Sequence, residues 1–173
     1  MQRSLLATLL FTLALPLAAA EVRELTWSEM VPADAPPQVV EPAPIHDLSQ
    51  LADALAESGP AAMQQSPAAP VVQALDDQSV KLPGYIVPLD VTEEGRVTEF
   101  LFVPYFGACI HVPPPPSNQI VHVTSELGVL MDNLYQPFWV EGPLRVENTS
   151  TEIAETGYQM DASKIYPYES ADN

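Results

Sequence analysis

Four consecutive prolines, Pro113 to Pro116, set the firmest limit on how this chain can fold. Each proline holds φ at about −65° and lacks a backbone donor, so neither a helix nor a central sheet strand can run through the segment. What remains is a stiff polyproline II rod that positions its neighbours. Beside it stands Gly107-Ala108-Cys109-Ile110-His111-Val112, which holds the only cysteine and, two residues on, a histidine.

Proline also divides the chain. Residues 21–78 contain eight prolines, one glycine and no tyrosine, whereas residues 79–173 contain all six tyrosines, six of the seven glycines and Cys109. The first stretch reads as a proline-rich arm with little core of its own, extended around Pro32, Pro36, Pro37, Pro42 and Pro44 and again around Pro60, Pro67 and Pro70. Between them Leu48, Leu51, Ala52 and Leu55 fall at helical spacing. They predict one short amphipathic helix near residues 47–57, stopped by Gly59-Pro60. Trp27 is the expected tether of the arm, because an indole buries a large apolar area.

The second stretch reads as β. Val80 to Leu89, Val97 to Val103, Gln119 to Thr124 and Pro137 to Glu147 are rich in branched and aromatic residues, with a turn at Glu93-Glu94-Gly95-Arg96. Phe138, Val140, Leu144 and Val146 share parity, with Glu141, Arg145 and Glu147 on the other face and a bend at Gly142-Pro143. The expected fold is mainly β: a small, partly open barrel of the oligonucleotide/oligosaccharide-binding kind, or a sandwich, over residues 79–173.

Residues 1–20 carry one cation, Arg3, then an apolar run and Ala18-Ala19-Ala20, the pattern of a secretory signal cleaved after Ala20. The run is short for a membrane span and no cysteine follows it to take a lipid, so the expected mature chain starts at Glu21 and is periplasmic, with no membrane span. An odd cysteine in an oxidising compartment has no internal disulfide partner. The formal charge of −17 disfavours nucleic acid and anionic membranes as partners.

Leu82-Pro83-Gly84-Tyr85-Ile86-Val87-Pro88-Leu89, the segment from Glu99 through the cysteine and prolines to Gln119, and Val140-Glu141-Gly142 resemble an exported bacterial family, domain of unknown function 3299. The resemblance implies a small periplasmic protein. Similar ones are encoded beside ABC-type permeases and periplasmic metal-binding proteins, which makes those the implied partners.

Three chemistries are open to the Cys109 segment. In extended chain Cys109 and His111 project to one side as thiolate and imidazole, and His122, which shares a face with Ile120, becomes a third ligand if the rod turns the chain back. Zinc suits that set, with cuprous copper the softer alternative. Against this stands a buried, inert Cys109 and a His111 that bonds a loop carbonyl. The second is a thiol nucleophile with His111 as base and Asn118 or Gln119 orienting it; sequence neighbours seldom align in this way, so an enzyme is the less favoured reading. The third is a protein-interaction loop of Tyr105, Phe106, Pro113, Pro114, Pro115, Pro116, Asn118 and Gln119. His46, beside Asp47, reads as a solvated capping residue. The sequence thus points to a metal-linked accessory or binding protein, with zinc as the metal. The alternative is a non-catalytic interaction module with a structural Cys109.

Overall fold

The computed structural model describes residues 22–36, 63–109 and 113–168. The signal segment, the helix expected near residues 47–57, His46 and His111 lie outside the described residues.

The described residues are mainly β. The organising strand is β2, Gln78–Val91, fourteen residues whose even positions Val80, Leu82, Gly84 and Ile86 are buried. A strand this long bends and serves two neighbours. Its first half pairs antiparallel with β5, Phe138–Arg145, and its second half with β3, Arg96–Val103. Next to β3 lies β4, Val121–Leu130, which pairs in parallel with β8, Tyr158–Asp161, and β8 returns to β5. The order β2-β3-β4-β8-β5-β2 is a ring, in line with the mainly β architecture expected from the sequence. Strand β1, Arg23–Glu24, and β9, Lys164–Pro167, extend it at β2 and β5, while β6, Thr149–Ser150, and β7, Glu155–Thr156, form a separate hairpin.

Inside the ring Phe100, Phe102, Leu82, Val121, Val123, Tyr158 and Met160 form the main core. Each such side chain contributes on the order of 1.5–3 kcal/mol by leaving water. Two strands approach too closely for a side chain between them. A Cβ on Gly142 would lie 2.5 Å from the Asp161 carbonyl oxygen, which explains a glycine at the bend of β5.

The arm completes this core. Leu25, Met30 and Leu75 are fully or almost fully buried in it. Trp27 acts as the expected tether: its Nε1 donates to the Pro83 carbonyl at 2.6 Å, and its ring lies 5.9 Å from Phe102. Outside the ring, register lines up Glu24, Lys81, Glu141 and Lys164 across β1, β2, β5 and β9, a row of alternating charge. Tyr166 and Lys164 both donate to Glu141 and hold its carboxyl below the usual carboxylate range.

Candidate functional site

The proline run is fastened, not free. Pro114, Pro115 and Pro116 are buried. Prolines keep their carbonyls while lacking donors, so something else must supply the hydrogen. The arm does: Gln65 N donates to Pro114 O at 3.3 Å, and Gln64 Nε2 donates to Pro115 O at 3.0 Å and Glu155 O at 2.8 Å. Asn118 Nδ2 donates to Pro70 O at 2.7 Å, and Gln119 Nε2 to Trp27 O at 2.8 Å. Of the predicted interaction loop, Pro114, Pro115, Pro116, Asn118 and Gln119 are therefore engaged within the chain. Pro113, Tyr105 and Phe106 are exposed, the last two at 44% and 60%. Phe106 stands edge-on to Tyr85, ring centres 5.8 Å apart.

Cys109 packs on a second apolar cluster made by Val87, Leu101, Val103, Ala108, Ile120 and Ala154, on the outer face of β2, β3 and β4. Its φ of +66° is in the left-handed region, a conformation that costs a non-glycine residue about 1–2 kcal/mol. Burial pushes its thiol up to about 11. A nucleophile or thiolate ligand needs the opposite shift, a lowered pKa from a nearby cation or metal.

His122 faces the same outer side: Leu101 is its register partner on β3 and Gln159 on β8. Its Nε2 lies 2.7 Å from Glu99 Oε1, and its side chain is only 13% exposed. The structure thus brings Cys109 and His122 to one face, with Leu101 common to the surroundings of both, while His111 falls outside the described residues. Among the described residues no three His, Cys, Asp or Glu side chains are grouped to hold a metal. Glu99 was not foreseen as a partner. Its signal was available: it shares parity with Leu101 and Val103, and is the charged residue in an otherwise apolar row.

Beyond the His122–Glu99 pair the face turns acidic. A groove of about 720 Å³ is lined by Asp90, Glu99, Thr124, Glu126, Leu127 and Asp161 among others. Asp161 accepts from Thr124 at 2.6 Å and from Arg145 at 2.7 Å. One half of this outer face is covered by the Cys109 loop, and the other carries carboxylates that repel a phosphate backbone. Among the described residues no helix is long and apolar enough to cross a membrane.

Residues 27–167 match the model of the family described as protein of unknown function (DUF3299). A crystal structure of a DUF3299 family protein from Pseudomonas aeruginosa PAO1 is similar, with 64% sequence identity and a TM-score of 0.74, covering 87% of this chain and 99% of that one. No curated protein matches the chain. With the family model spanning ring, arm tether and proline segment alike, this chain belongs to the DUF3299 family.

Proposed function

We propose that the protein is an exported, non-catalytic binding module of the bacterial envelope, which offers Tyr105 and Phe106 to a protein partner. One observation carries this reading: two adjacent aromatic side chains, Tyr105 and Phe106, stay exposed beside a proline segment, Pro114 to Gln119, that is largely buried and hydrogen-bonded within the chain. Rigid aromatics on a fixed support bind with little entropy loss. The secretory pattern of residues 1–20 supports the periplasm as its location, and the family resemblance supports a permease or metal-binding protein of an ABC-type system as the partner class. A photo-crosslinking residue at position 106 in living cells should yield a discrete adduct that is lost with Tyr105→Ala. The same adduct from position 98, or none from 106, removes the reading.

A second reading keeps the protein metal-linked, with zinc held by Cys109, His111 and His122. The observation in its favour is that His122 bonds a carboxylate, as metal-binding imidazoles commonly do, on the face that also receives Cys109. The mature chain purified under reducing conditions should then carry stoichiometric zinc, and lose it in Cys109→Ser and His122→Gln. Absence of zinc from the wild type, or equal zinc in the variants, defeats it.

A further inference from the structure

The end of β3 opposite the Cys109 loop carries an exposed apolar surface of its own. Pairing of β3 with β4 runs evenly to Glu99–Thr124 and resumes at Val97–Val129. Thr98 alone therefore faces four residues of β4, Ser125 to Gly128, which leave the ladder as an excursion. Gly128, at φ +59°, returns the chain so close to β3 that a Cβ would lie 2.7 Å from the Val97 carbonyl oxygen. The excursion and the turn after it display Leu127 and Tyr135, 75% and 72% exposed, with Leu130 and Met131 also exposed. Met131 N donates to Gly95 O at 3.1 Å, which sets this surface against the turn bearing Glu93 and Glu94.

Charge says what can cover it. Between residues 90 and 135 the only lysine or arginine is Arg96. Its guanidinium is used internally, donating to Leu127 O at 2.6 Å and Gly128 O at 3.0 Å. The acidic rim of Glu93, Glu94, Glu126 and Asp132 sets four carboxylates against that one guanidinium, whose charge offsets only part of theirs. A second copy would oppose the same acidic rim in a two-fold interface, and an anionic membrane would be repelled. We propose that this surface docks a basic, apolar segment of a partner protein, whose apolar side chains cover Leu127 and Met131 while its lysines or arginines meet the rim. It is independent of the Tyr105–Phe106 surface at the other end of β3.

The test uses the mature protein and three labelled 14-residue peptides: lysine–leucine with leucines at helical spacing, lysine–serine of equal charge, and glutamate–leucine. The lysine–leucine peptide should bind, weaken with salt, and shift backbone amide resonances of residues 125–135. Leu127→Ser with Met131→Ser should weaken it about tenfold or more. Tyr135→Ser should act in the same direction, and Glu126→Gln with Asp132→Asn should flatten the salt dependence. Tyr105→Ala with Phe106→Ala should change nothing. Equal binding of lysine–serine overturns the proposal, since charge alone would then suffice. So do resonance shifts confined to the Cys109 end, unchanged affinity in the Leu127/Met131 variant, or a dimer in sedimentation that this variant abolishes.

Discussion

At the Val103 end of β3 the loop is fastened to the arm from both sides, by Gln64 and Gln65 donating from the arm and by Asn118 and Gln119 donating to it, all across large sequence separations. At the Arg96 end the excursion is held by one guanidinium and by the Met131–Gly95 bond. The first end is conspicuous in the sequence, and its proline run is mostly buried, with Tyr105 and Phe106 exposed beside it; the second is inconspicuous and exposes Leu127, Leu130, Met131 and Tyr135. The rare run of prolines marks the part of the chain most constrained by its own fold, while the side chains available to others lie beside it at Tyr105 and Phe106 and at the far end of β3.

Substitution at the two ends should separate them, beginning with the largest effect. Asn118→Ala removes a buried donor from Pro70 O and leaves a gap beneath the arm, so urea unfolding should show a loss of about 2–4 kcal/mol. The same stability from Asn118→Ala and wild type would break the comparison. Cys109 should alkylate with iodoacetamide about a hundredfold more slowly than a free thiol at neutral pH, because a group titrating near 11 is almost wholly protonated there. Fast labelling would mean that the apolar roof opens.

Smaller effects belong to the Arg96 end. Gly128→Ala should cost about 1–3 kcal/mol through positive φ and collision with Val97, against about 1 kcal/mol for Gly95→Ala, where a Cβ meets nothing. Arg96→Ala should cost about 0.5–1.5 kcal/mol, since one of its two hydrogen bonds is exposed, to Leu127 O, and the other only partly buried, to Gly128 O. The smallest effect is pH-dependent. Thr26 donates to Glu29 from its hydroxyl and amide, and with Arg23 holds the carboxyl at about 2. Because the folded value lies below the unfolded one, this stabilisation is present above about pH 5 and is lost as pH falls toward 2. Glu29 is exposed, so the loss should be well under 1 kcal/mol, visible as a difference between wild type and Glu29→Gln in acid titration.

Where the sequence carried a period, the fold could be read from it: four strands, the parity of β5, the shared face of Ile120 and His122, and the Trp27 tether. Strands β8 and β9 escaped because each is four residues long, too short for alternation to stand out. The expected strand ending at Thr124 continues to Leu130 through an excursion that interrupts its pattern. The extended chain expected around Pro67 and Pro70 could be read, but not where residues 63–72 would dock. Gln64 and Pro70 meet their partners about fifty residues away through single polar groups, which leave no periodic trace. The surroundings of Cys109 were hidden for a related reason: Val87, Leu101 and Ala154 come from three separate segments, and only folding assembles the apolar bed that raises its thiol pKa.

Tyr158 gives the arm a cooperative property that neither of its two described pieces has alone. Its hydroxyl accepts from Val72 N at 2.8 Å and donates to Met30 O at 2.7 Å, so one buried oxygen joins segments more than forty residues apart. Undocking either segment leaves that hydroxyl half-satisfied and weakens the hold on the other. The two pieces should accordingly detach as a single unit, and Tyr158→Phe should let them open separately in hydrogen exchange.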